Sequence, residues 1–277
     1  MSDEASHNAG GQQAGAAAPG DGERPANAGA QEQRGVAVVT GGGSGIGRAA
    51  ALELANDGWT VVIAGRRREA LDEVAGESGR ILPLVADVTR EDDVVRLFDE
   101  TVRRFGRVDL LFNNAGAGAP PTDLDRISLE TWQAVMDVTV TGSFLCAREA
   151  FRVMRAQTPQ GGRIITNGSI SAYAPRPLSA PYTVAKHAVS GLTKQIQLDG
   201  RPFGISGSQI DIGNAVTPMT AGSSAGSLQA DGSVRVEPTI DVAETGRAVL
   251  YMANQLPGVN VANLTIMPPA MPLVGRG

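Results

Sequence analysis

The chain has 277 residues, 42% of them hydrophobic and 19% charged, enough to bury a sizeable core without staples. A formal net charge of -5 excludes a general nucleic-acid binder, which would carry a basic surface. The single cysteine, Cys146, excludes an internal disulfide and suits a reducing cytoplasm; no apolar run approaches the roughly 18 residues of a membrane span.

Residues 1–34 contain no Val, Ile, Leu, Phe, Tyr or Trp, and carry five acidic residues against two basic ones. Such a segment buries too little apolar surface to offset its ordering entropy, so a disordered tail is expected. It lacks the apolar stretch of a secretion signal, and its acidic residues argue against a transit peptide. One domain is expected over 35–277.

From Gly35 onward, short β-branched runs alternate with helical patterns. Strands are expected at 36–40, 60–64, 81–85, 108–112, 163–166, 206–212 and 262–266. Their near-continuous apolar character suits strands covered on both faces. Helices are expected at about 46–57, 68–76, 91–105, 128–156, 181–198 and 241–254. Ser128 can cap the fourth, and Asp241 with Glu244 forms a capping-box-like start for the last. Regular alternation of this kind predicts an α/β fold: a doubly wound, mostly seven-stranded parallel sheet with helices on both faces. The stretch 217–240 is rich in Gly, Ser and Ala with little periodicity, as in a lid over a binding site.

The first strand runs into Thr40-Gly41-Gly42-Gly43-Ser44-Gly45-Ile46-Gly47, and a helix follows. Glycines there let backbone N–H groups approach a pyrophosphate at a helix N-terminus. The second strand ends at Ala64-Gly65-Arg66, with no carboxylate to hold a ribose 2′-hydroxyl. Arg66 offers a fork suited to a 2′-phosphate, so NADP(H) is favoured and NAD(H) remains possible.

Further on stands Pro181-Tyr182-Thr183-Val184-Ala185-Lys186. Proline suits the first helical turn, and Tyr182 and Lys186, four apart, share one helix face. A free tyrosine titrates near pH 10, and a neighbouring ammonium favours the phenolate. Thirteen residues earlier, Ser169 follows the fifth strand with a hydroxyl able to bond a substrate oxygen. His187 points about 100° away from Lys186 along the helix, toward a surface or interface. Only His187 and His7 could supply imidazole, so no metal site is expected. Cys146 reads as an inert buried thiol, and Trp59 and Trp132 as packing residues. Tyr173, between Ser169 and Tyr182, is a candidate for lining the substrate pocket.

These motifs, in this order, resemble those of the short-chain dehydrogenase/reductase family in its single-domain form. The resemblance covers about 36–267. It rests on the loop at 40–47, Asp87-Val88, Asn113-Asn114-Ala115-Gly116, Ser169, and Tyr182 with Lys186. It implies a Rossmann fold, a nicotinamide cofactor and a small-molecule alcohol or carbonyl substrate. It places Gly41, Ser44, Gly45, Ile46, Gly47, Arg66, Asp87, Val88, Asn114, Ala115, Gly116, Gly213 and Thr217 at the cofactor. Asn113 would tie neighbouring strands together. Ser169 would orient the substrate oxygen, Tyr182 would be general acid or base, and Lys186 would hold the nicotinamide ribose. Family members commonly form dimers or tetramers through helices matching 128–156 and 181–198, so the resemblance implies a homo-oligomer, a dimer or a homotetramer.

Three departures stand out. Thr139 occupies the place of an asparagine that supports a proton relay to the lysine, which makes it the catalytic candidate there. Ile212 precedes Gly213 where the family usually has proline. The C-terminus, 271–277, lacks the common Asp-Gly-Gly ending. The alternative to an enzyme is a non-catalytic nucleotide-binding sensor or structural protein on the same fold.

Overall fold

The structure, a computed structural model, describes residues 34–218 and 226–273. The expected tail, Arg34 apart, lies outside the described residues, as do 219–225 within the expected lid and 274–277 at the C-terminus.

The expected strands form as β1 (Val36–Thr40), β2 (Thr60–Gly65), β3 (Ile81–Val85), β4 (Leu110–Asn113), β5 (Gly162–Asn167) and β6 (Ile205–Ile212). Two short strands, β7 (Ser227–Leu228) and β8 (Val234–Arg235), precede the last, β9 (Asn263–Ile266). The main sheet has seven parallel strands in the order β3-β2-β1-β4-β5-β6-β9. The order reverses between β1 and β4, and in such sheets ligands bind beyond the strand carboxyl ends at that point.

The helices are α1 (Gly45–Asn56), α2 (Arg68–Gly76), α3 (Glu91–Phe105), α4 (Leu129–Met136), α5 (Gly142–Ala156), α6 (Ala180–Gly200) and α7 (Val242–Ala253). Alternating strand residues feed two cores. Ile63 and Phe112 pack with Leu54 of α1 and Met252 of α7 on one face. Val62 and Leu111 pack with Phe98 of α3 and Met154 of α5 on the other. Burying one such side chain stabilises the fold by roughly 1.5–3 kcal/mol. Helix α7 lies so close to α1 that a Cβ on Gly246 would stand 2.7 Å from the Ala49 carbonyl oxygen.

Ser128 caps α4, its hydroxyl accepting the Thr131 amide proton at 3.1 Å. Asp241 caps α7 through the Ala243 amide at 2.9 Å. Glu244 does not complete a capping box, because its carboxylate pairs with Arg247 instead. The helix expected over 128–156 is interrupted by a π-helical turn, Asp137–Thr141. The expected lid is not structureless: β7 and β8 form an antiparallel hairpin, and Ala215 bridges Ile240 in parallel. No helix among the described residues is long and apolar enough to cross a membrane.

Candidate active site

A cleft of about 480 Å³ opens where the carboxyl ends of the central strands converge. Its floor is the turn from β1 into α1, with Gly41, Ser44, Gly45 and Ile46. Gly41 and Gly45 adopt φ of 66° and 53°, which favours glycine at both positions. Gly47 stands behind this turn, where a Cβ would come 2.3 Å from the Gly41 oxygen; its contribution is to closeness of packing.

One end of the cleft is bounded by Gly65, Arg66, Asp87 and Val88. Arg67, expected to be a surface charge, also borders it. Neither arginine has an acidic partner among the described residues, whereas Arg68 pairs with Asp72 and Arg48 with Glu77. The Asp87 Oδ1 accepts from the Thr89 amide and hydroxyl at 3.0 and 2.8 Å, which fixes the carboxylate at the cleft wall.

Asn114, Ala115 and Gly116 form the middle of the cleft. The Asn114 amide donates to Thr40 O at 2.9 Å and accepts from Asn167 Nδ2 at 2.8 Å, joining the ends of β1 and β5. This is the strand-tying role expected of Asn113. The Asn113 side chain instead donates to Ser143 O of α5 at 2.7 Å, because its place in the strand alternation turns it toward the helix layer.

Tyr182 and Lys186 form the far wall with Gly213 and Thr217. The Lys186 ammonium lies 5.6 Å from the centre of the Tyr182 ring, as one helix face requires. Lys186 is 4% exposed, and its Nζ donates to Asn167 O at 2.7 Å. An ammonium has three donors, so two remain without acceptors among the described residues, beside a cleft. The Tyr182 hydroxyl likewise has no protein partner among them.

Three candidates lie off this wall. Ser169 is buried at the N-cap of a 3-10 turn, Ile170–Ala172, with its hydroxyl accepting the Ser171 amide proton at 3.1 Å. Thr139 sits at the middle of the π-helical turn, its hydroxyl accepting from the Ala117 amide at 3.1 Å. That bond braces the loop after β4 and does not join Thr139 to Lys186, whose partner is Asn167. Tyr173 turns its hydroxyl inward onto Asp211 at 2.7 Å, so only its half-exposed ring remains available to a ligand. Burial, and then the hydrogen bond and charge of Asp211, raise its pKa above the ordinary value of 10.0.

At Ile212 strand β6 simply continues, with the Gly213 amide donating to Ile266 O at 2.9 Å. His187 is exposed, with Nδ1 against Thr183 O. Burial pushes the Cys146 thiol up to about 12, which keeps it inert. Trp59 is buried, with its Nε1 donating to Asn254 Oδ1 at 3.1 Å.

Sequence reasoning missed one cluster. Glu237, in the stretch expected to be a lid, accepts from Arg176 at 2.6 Å and Asn214 at 2.7 Å through one oxygen, and from Gln229 at 3.0 Å through the other. These partners lie up to 61 residues apart, and no local motif announces them.

The glycine turn, the strand-end amides and the paired Tyr182 and Lys186 fall within one matched stretch. A family model for short chain dehydrogenase matches residues 35–227. The chain belongs to the short-chain dehydrogenase/reductase family. It is therefore an NAD(P)-dependent oxidoreductase acting on CH–OH or C=O groups. A relative from Streptomyces virginiae, an A-factor type gamma-butyrolactone 1'-reductase (1S-forming), is 39% identical over 189 residues, 67% of this chain and 71% of its own. A 3-ketoacyl-(acyl-carrier-protein) reductase from Brucella melitensis, solved with NADH, superposes with a TM-score of 0.76 at 25% identity, covering 86% of this chain and 98% of its own. An actinorhodin polyketide ketoreductase variant solved with NADPH gives 0.76 at 25% identity, covering 86% and 97%. The match to this dehydrogenase/reductase family model ends at 227, before Glu237.

The Glu237 latch has a predictable pH dependence. Burial alone would raise its pKa, but bonds from Gln229, Asn214 and Arg176 and the arginine charge outweigh this and hold it at about 2, below the ordinary 4.5. A depressed carboxyl pKa stabilises the fold fully above 4.5, and that contribution fades as pH falls toward 2. Glu237→Gln is therefore expected to melt below the wild type at pH 7, with the gap closing between pH 4.5 and 2. Thermal melts across that range would reveal a constant gap if the latch carried no charge.

Proposed function

We propose that the protein is an NADP(H)-preferring alcohol dehydrogenase or carbonyl reductase in which Tyr182 moves the proton. The observation that carries this is a Tyr182 hydroxyl without a protein partner among the described residues, on the same wall as a buried Lys186 with two N–H groups uncommitted among them. The rest of the cleft fits a dinucleotide: a glycine turn at a helix N-terminus, Asp87 and Val88 at one end, and Ala115 and Gly116 between. A bound nicotinamide supplies or takes the hydride. Lys186 would hold the nicotinamide ribose, keeping its ammonium beside the Tyr182 ring. Tyr182 donates its proton to the substrate oxygen in reduction and takes it back in oxidation. Ser169 donates its O–H to the same oxygen and orients it. Thr139 acts apart from this wall, bracing the loop after β4 at Ala117. The exposed Tyr173 ring offers an apolar face to the substrate.

Tyr182→Phe removes the proton and keeps the ring. Turnover should fall by about 10²–10⁴-fold, with binding of the reduced cofactor unchanged. The assay follows nicotinamide absorbance over a panel of cyclic ketones, β-keto esters and secondary alcohols. Full activity in this variant would overturn the mechanism, and turnover of any panel member by the wild type eliminates the non-catalytic alternative.

NADP(H) preference rests on the Arg66 and Arg67 guanidinium groups beside Gly65, which have no acidic partner among the described residues. Arg66→Ala should weaken NADPH binding by about tenfold to a hundredfold, the value of one or two charged hydrogen bonds, and leave NADH nearly unchanged. Equal losses for both cofactors, read by titration, would refute the preference.

A homo-oligomer is supported by exposed Phe144 on α5 and by Val184 and Leu198 on α6. A monomer mass from light scattering at working concentration would contradict it. The lone cysteine supports a cytoplasmic location.

A further inference from the structure

Asp211, in β6, is fully buried and takes no part in the reaction described above. Its Oδ1 accepts from the Ser169 amide at 2.8 Å and Gln209 Nε2 at 2.7 Å. Its Oδ2 accepts from the Tyr173 hydroxyl and from Asn263 Nδ2, each at 2.7 Å. All four donors are neutral, and no cation pairs with Asp211 among the described residues. A buried carboxylate without a counter-charge is tolerated only when its lone pairs are saturated, and here they are. The donors come from β6 itself, from the loop that carries Ser169 and Tyr173, and from the edge strand β9.

This anchor determines how Ser169 is presented. The Ser169 backbone is extended, with φ −170° and ψ 153°, and its amide is held by Asp211. Its Oγ is engaged as an acceptor by the Ser171 amide. The O–H proton is left with no acceptor among the described residues, free for a substrate oxygen. The preceding residue is fitted to the same carboxylate. A Cβ on Gly168 would stand 2.1 Å from Asp211 Oδ1 and 2.8 Å from Gln209 Nε2. Gly168 lines the cleft, as does Ile212 beside Asp211, so the carboxylate lies immediately behind the reacting region.

We infer that Asp211 is a positioning residue for Ser169: its carboxylate locks the Ser169 amide so that the hydroxyl proton points at the substrate oxygen. The inference rests on the role proposed for Ser169 above. Its test is a double-mutant cycle of wild type, Asp211→Asn, Ser169→Ala and the double variant. Turnover is read on ethyl acetoacetate and cyclohexanone, NADPH affinity by fluorescence, and folding by thermal melts. Asp211→Asn should lower kcat by about tenfold to a hundredfold, the effect of a misplaced catalytic group, with NADPH affinity preserved. In the Ser169→Ala background the same change should alter kcat by less than about twofold, because residues acting through one another are not additive. An equal loss in both backgrounds, or no loss in either, overturns the inference.

Absence of turnover by the wild type is a failure of the substrate reading and is visible before any variant is made. In that case a crystal structure of Asp211→Asn decides: a displaced Ser169 hydroxyl supports the inference, and an unmoved one overturns it. Should Asp211→Asn not fold, Tyr173→Phe leaves the carboxylate with its other three donors and enters the same cycle. Its loss should be smaller, about threefold, and should again vanish without Ser169.

Discussion

The hydrogen bond between Asn114 and Asn167 ties the site to the sheet. A parallel ladder runs out at the carboxyl ends of its strands, and the backbone groups there need other partners. Across the switch point the Asn114 side chain donates to the Thr40 carbonyl at the end of β1 and accepts from the Asn167 side chain at the end of β5. The Asn167 carbonyl then takes the Lys186 ammonium. One continuous chain of bonds therefore runs from the glycine turn to the helix that carries Tyr182. Displacing any strand end would move the dinucleotide floor and the Lys186 wall relative to each other.

Saturation distinguishes the buried charges from one another. Asp211 has four donors, and the Glu237 carboxylate is held by Arg176, Asn214 and Gln229. Among the described residues Lys186 has one acceptor and two donors left over, facing a cleft. A saturated charge holds elements together; an unsaturated one in a concave site is poised to bind. That difference, more than burial itself, separates groups that shape the site from groups that meet a ligand.

Where the information is local, the sequence was sufficient. The seven main strands and most helices follow from apolar periodicity, which reports burial directly, and the glycine turn and Tyr182 with Lys186 follow from fixed spacing. What was illegible depends on contacts distant in the chain. The π-helical turn at Thr139 keeps the helical pattern, so periodicity passes over it. Asn113 and Asn114 are adjacent, and only the pleat decides which one faces the helix layer. Asp211 lies among strand hydrophobics, and nothing nearby announces that Ser169, Tyr173 and Asn263 will surround it.

The same saturation bears on how the substrate side of the cleft can discriminate. Arg176 and Glu237 are engaged with each other, and the Tyr173 hydroxyl is engaged with Asp211. Among the described residues there, the Tyr182 hydroxyl has no protein partner and the Ser169 hydroxyl, which accepts from the Ser171 amide, keeps its own proton to give; the proposed mechanism aims both at the reacting oxygen. Such a wall recognises the group that reacts by hydrogen bonding and the rest of the molecule by shape. Shape is a coarse selector, worth about 1–3 kcal/mol per methylene in an apolar pocket. Glu237 ties the segment after β8 to the loop carrying Arg176, beyond the stretch that the family model matches. The pair proposed to move the proton, Tyr182 and Lys186, lies inside that stretch.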